Sequence, residues 1–278
     1  MLKFALNILT MNKYLSILTI TILLFSCVKE KEDIIGCMDS SALNYNSEAT
    51  INGNCNYAPT GNEPISNLNI HFTQTIFGNP LVINMDYING VDTFNVQTVR
   101  YLISDITLNT DNGDNTILDE VHFVDISIDS TLILNIPEIN NSNYTSISFT
   151  MGLDPIKNVT DSFLNENFFP SFSWPEFLGG GYHYMQLEGD LGIGLLGYAT
   201  HTGATNGVDY SFIKNFPITT NLENDDTIVI NMEIDNWYSN PHVIDLISHS
   251  NGIMGNANAQ ALLKDNGAAD VFSINITQ

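Results

Sequence analysis

Asn67-Leu68-Asn69-Ile70-His71-Phe72 alternates polar and apolar residues one by one. Successive strand side chains point to opposite faces, so this is the pattern of a strand buried on one side only. Similar runs recur outward from it. Val99, Tyr101 and Ile103, then Ile106 and Leu108, lead to the turn Asp111-Asn112-Gly113-Asp114. Segments 121–128, 132–136, 144–150, 181–188, 210–216 and 227–234 continue the series, separated by Asn, Asp and Gly turn residues. Only 254–264, rich in Ala, Asn and Leu, reads as helix, and the frequent breaks leave no room for helical crossovers. The expected fold is all-β: an antiparallel β-sandwich over 65–278 with a short C-terminal helix.

Upstream of the sandwich the chain reads as an address and a spacer. Lys3 and Lys13 precede an apolar run over 15–25, too short for a comfortable membrane span, which ends in Leu24-Phe25-Ser26-Cys27. This is a bacterial lipobox pattern, with Met11 an alternative start. Residues 1–26 are thus expected to be a signal peptide, and Cys27 the acylated N-terminus of an exported, lipid-anchored envelope protein. The outer membrane or the cell surface is the expected location. Several acyl chains suffice for stable anchoring. With Cys27 assigned to lipid, Cys37 and Cys55 remain as a disulfide pair in an oxidising compartment. Residues 28–64 then form a charged tether, a stapled spacer and a Pro/Gly linker. The stretch Gly36-Cys37-Met38-Asp39 to Asn44-Tyr45 resembles a short Gly-Cys-x-Asp-x-x-Ala-x-Asn-Tyr module of exported Bacteroidetes proteins. Calcium held by Asp39, Asn44 and Glu48 is the weaker reading of it, because Asn52-Gly53-Asn54, not an Asp-rich run, precedes Cys55.

Composition narrows the function classes. The 278 residues carry 8 Lys+Arg and 31 Asp+Glu, a formal net charge of −23, which excludes a phosphate-tracking basic stripe and with it nucleic-acid binding. Fifteen Phe and 11 Tyr within a 44% hydrophobic chain exclude disorder of the bulk. Loss of Lys3 and Lys13 with the signal makes the mature chain more acidic still. No Gly-x-Ser-x-Gly elbow, His-Glu-x-x-His or phosphate-cradling glycine loop is present, so a binding protein is expected, not an enzyme. Six histidines stand at 71, 122, 183, 201, 242 and 249, most of them within strand patterns. Imidazole is a common copper or zinc ligand, and strands bring distant residues together. For any single strand histidine taken alone, a hydrogen-bonded structural role is the commoner one. Met151 and Met185 offer soft sulfur, although a strand Met usually fills core.

Several ordered segments carry a family resemblance over about three quarters of the chain. They are His71-Phe72-Thr73-Gln74 with Gly78-Asn79-Pro80-Leu81, Val99 through Leu108, His122-Phe123-Val124-Asp125, and Ser148-Phe149-Thr150-Met151-Gly152. Trp174-Pro175, Gly180 through Gly189, His201-Thr202-Gly203, Asn236-Trp237-Tyr238-x-Asn240-Pro241 and Asp270-Val271-Phe272 follow. Together they resemble the MbnP-like family, named for a copper-binding protein of methanobactin operons. Gln74 stands where many members have a second His. The resemblance implies a β-sandwich that binds copper through His71, His122 and His201, with His183 next, and Asp125 as an acceptor orienting an imidazole. It also implies that Trp174 is the counterpart of a Trp that a di-haem peroxidase partner oxidises to kynurenine in some members. The competing reading is an adhesion or glycan-binding module whose histidines are structural.

Overall fold

The computed structural model describes residues 33–57, 64–89, 92–192 and 196–278; the signal, lipobox and Cys27 lie outside the described residues. The chain divides into two compact units, with the division at Thr60/Gly61. In the first, β1 (Ile35–Gly36) and β2 (Ile51–Asn52) pair in parallel, and Cys37 and Cys55 form the disulfide. Asp39 is used up locally. Its Oδ1 accepts from the Ser41 amide and hydroxyl, and its Oδ2 from the Tyr57 hydroxyl at 2.9 Å. Those bonds hold its carboxyl below the usual carboxylate range. Asn44 Oδ1 accepts from the Asn56 amide, so this unit spends two of its three suggested calcium donors on its own loops.

The second unit is a β-sandwich. Its strands are β3 (Ile65–Ile76), β4 (Asn79–Pro80), β5 (Tyr87–Asn89), β6 (Asp92–Phe94), β7 (Thr98–Thr110), β8 (Thr116–Asp125), β9 (Ile133–Ile139) and β10 (Tyr144–Met151). After an excursion over 152–182 come β11 (His183–Leu191), β12 (Leu196–Gly203), β13 (Phe212–Pro217), β14 (Thr227–Glu233) and β15 (Phe272–Thr277). Among the described residues, one sheet runs β13-β10-β7-β11-β6-β5, with β8 added to β7 and β12 to β11. The other runs β15-β14-β3-β4, with β9 added to β3. Pairing is antiparallel throughout this unit except between β3 and β14, which are parallel. The alternation read at 67–72 lies on β3: Leu68, Ile70 and Phe72 are buried, and face Tyr101, Ile103 and Phe149 of the opposite sheet in one core.

Some elements differ from the expectations. β12 and β15 extend the strand series, and Phe272-Ser273-Ile274-Asn275-Ile276 does alternate as a strand should. The helix, α2, spans Ala257–Asn266 and starts after 254 because Asn256 adopts extended backbone and its side chain accepts from the Ala259 amide at 3.1 Å. The 152–182 excursion, which carries the short helix α1 (Phe169–Phe172), covers the outer face of the larger sheet and builds a second, smaller core there. In it Phe168, Phe172 and Tyr182 pack on Leu102 and Tyr184 of the sheet beneath. No helix among the described residues is long and apolar enough to cross a membrane.

Candidate metal-binding site

Beside that second core the outer face of the larger sheet gathers two of the predicted histidines. On β12, Thr200 points inward, where the Tyr238 hydroxyl contacts its oxygen at 3.0 Å, so His201 points outward. The hairpin β11–β12 pairs Gln186 with His201 and Glu188 with Ala199, which sets Glu188 diagonally beside His201 on the same face. His183 reaches this face through a β-bulge. The β11–β12 register slips between His183 and Met185, so His183 and Tyr184 both lie on the outer side while Met185 drops into the main core. The His183 and His201 rings are 5.1 Å apart, centre to centre, and nearly perpendicular.

Each of the two rings has one nitrogen already committed. His183 is 5% exposed, and its Nδ1 lies 3.1 Å from the Phe172 carbonyl oxygen. A carbonyl only accepts, so Nδ1 carries the proton and Nε2 keeps a lone pair. Burial, above all, pushes the His183 pKa down to about 4, so the ring is neutral at neutral pH. His201 Nε2 lies 2.7 Å from Glu188 Oε1. The hydrogen bond from His201 holds the Glu188 carboxyl below its usual range, with Thr98 and Arg100 adding to the effect. Glu188 therefore accepts, His201 Nε2 donates, and Nδ1 is the nitrogen left with a lone pair in the neutral ring. Trp174 completes the cluster. Its ring stands edge-on to His183 at 4.7 Å, it is buried, and its indole N–H has no partner among the described residues. Gly203 is what lets it approach, since a Cβ there would lie 2.7 Å from Trp174 Cε3.

The other two predicted ligands are not brought to this pair. His71 alternates with the buried Ile70 and Phe72, so it lies on the outer face of the smaller sheet. His122 sits on the inward side of β8, stacked on Phe72 at 4.7 Å, with Nε2 against the Thr131 carbonyl at 2.9 Å and Nδ1 against Asp119 at 3.3 Å. The expectation that His71, His122 and His201 share one ion is therefore corrected. The three occupy different faces of the sandwich, a consequence of sheet assignment and alternation that spacing along the chain does not carry. Asp125 does not orient an imidazole either. It accepts from Arg100 Nε at 2.8 Å and from Ser127. Met151 and Met185 are core residues, and Gln74 donates to the Tyr101 hydroxyl. His242 and His249 contact Asp265 and the Asp245 carbonyl on the surface.

The arrangement can be tested against a metal. Two imidazoles on one ion at metal–nitrogen bonds of about 2 Å have ring centres roughly 5–6 Å apart, and the observed pair matches this spacing. Among the described residues, no group of three or more His, Cys, Asp or Glu side chains is arranged to hold a metal ion. The residues present are thus close enough for two imidazole donors to share an ion, one of them a neutral, buried ring, and imidazole is a donor type that suits copper. They do not fit a closed tetrahedral zinc site, which takes four protein ligands.

The sequence model of the MbnP family matches residues 65–255. The chain belongs to the MbnP family. Among solved structures it is similar to MbnP from Methylosinus trichosporium, with a TM-score of 0.50 and 11% identity over 78% of this chain and 99% of that one. At that identity the similarity speaks for the shared fold. No curated protein matches the chain. Residues 65–255 include all four predicted histidines and Trp174. Glu188 and the Phe172 carbonyl are the site components that the sequence reading missed. A hairpin closing near Gly192 would have pointed to Glu188, since it pairs Gln186 with His201.

Proposed function

We propose that this MbnP-family protein is an envelope-anchored lipoprotein that binds a copper ion through His183 and His201, as a binding protein and not an enzyme. The observation that carries this reading is the pair of adjacent imidazoles, each with one nitrogen tied to an acceptor and the other left with a lone pair. Family membership supports copper as the ion, and the lipobox ending at Cys27 supports the anchor. The deciding measurement is the copper content of the soluble domain after loading and desalting. His183→Ala and His201→Ala are expected to lose bound copper, whereas His71→Ala and His122→Ala retain it. Unchanged copper in the first two variants would sink the reading. Anchoring predicts that Cys27→Ala moves the protein from the detergent phase to the aqueous phase.

Trp174 is the residue we assign to oxidation by a di-haem peroxidase partner, because it alone of the two tryptophans lies against a copper-binding imidazole. Peptide mass spectrometry of protein from its native host should locate a kynurenine at 174. An unmodified Trp174 in every preparation removes this part of the proposal.

A further inference from the structure

Glu188 lies within the Gly180–Gly189 segment of the family pattern, which gives it no role, yet its contacts give it a definite task. It stands two residues along β11 from Gln186, the cross-strand partner of His201, and reaches diagonally to His201 Nε2 at 2.7 Å. Its backbone is held from the other side. Thr98 on β7 is its cross-strand partner, and Arg100, two residues on, adds positive charge beside it while held by Asp125. The carboxylate itself is 40% exposed, and the bond that places it is the one from His201 Nε2.

We propose that Glu188 is the positioning residue of the site. By accepting from His201 Nε2 it fixes the tautomer and ring orientation in which Nδ1 is the ligating nitrogen. The Phe172 carbonyl does the converse for His183, whose free nitrogen is Nε2. The site so built is of mixed type, with one Nδ1 and one Nε2 donor. A hydrogen-bonded carboxylate also makes the imidazole a better donor, and loss of such partners commonly lowers metal affinity about 10- to 100-fold. This inference rests on the copper reading for its consequence but not for its geometry, which belongs to the metal-free protein.

The test separates the two. Nitrogen-15 NMR of the histidine rings in metal-free protein should show His201 protonated on Nε2 and His183 on Nδ1. In Glu188→Ala, His201 should become a tautomer mixture while His183 is unchanged. Cu(I) affinity, measured anaerobically by competition with a chromogenic chelator, should fall about 10- to 100-fold in Glu188→Ala. Glu188→Gln, whose amide oxygen still accepts, should restore it to within a few-fold. If Glu188→Ala leaves the His201 tautomer unchanged, the positioning role is overturned, whatever copper does. An unchanged Cu(I) affinity in Glu188→Ala, with His201→Ala abolishing binding, overturns it equally. If instead His183→Ala and His201→Ala still bind copper, the copper reading fails and the NMR result alone judges Glu188.

Discussion

At the residue scale the molecule separates its histidines by what surrounds each ring. His122 has both nitrogens engaged and a ring stacked on Phe72, which makes it a structural residue. His183 is buried with one nitrogen engaged, a costlier arrangement that leaves a donor unused. Its depressed pKa has a consequence for stability. The native ring refuses a proton down to about pH 4, whereas the unfolded chain takes one near the ordinary histidine value of 6.5. Between those values the unfolded state binds more protons, so stability is fully present above pH 6.5 and declines as pH falls toward 4. The full effect is about 3 kcal/mol. Denaturant melts of metal-free protein at pH 7 and pH 4.5 should show the decline, and His183→Gln should reduce it. An identical pH dependence in that variant would place the acid sensitivity elsewhere.

At the element scale the β-bulge in β11 matters most. Without the slipped register between His183 and Met185, strict alternation would give His183 the same face as Met185, turned into the main core and away from His201. The bulge also explains why a reading by period two placed His183 within a strand but could not assign its face. Helix α2 is tied to the same region. Gln260 donates to the His201 carbonyl at 2.8 Å, so the helix holds the backbone of β12 from one end. Asn256 starts that helix through its side chain. Asn256→Ala is expected to cost about 1 kcal/mol, read as a lowered denaturation midpoint at unchanged slope. A loss near zero would mean that packing of Ala259 and Leu263, and not the cap, fixes the start of the helix.

At the scale of the whole molecule the two units divide the work of stability. Among the described residues of the spacer the buried hydrophobics are Cys37 and Ala42, so its order depends on the Cys37–Cys55 bridge. Closing a loop of this length contributes about 3 kcal/mol in the chain-entropy model. Cys37→Ser/Cys55→Ser should therefore unfold the spacer, seen as lost amide protection over 33–57, while the melting temperature of the sandwich stays put. A matching drop in the sandwich would show that the units are coupled. The overall charge of −23 is spread through a chain only 14% charged, which favours solubility, and among the described residues no acidic cluster able to hold a metal accompanies Glu188 at the histidine pair. The amino-acid sequence by itself determined the all-β class, the disulfide pairing and the family, because period-two alternation, cysteine count and ordered motifs are local or countable properties. Only the tertiary structure decided which histidines meet. Whether two strand residues share a face depends on sheet membership, register and a single bulge, and none of these is written in the spacing of His71, His122, His183 and His201 along the chain.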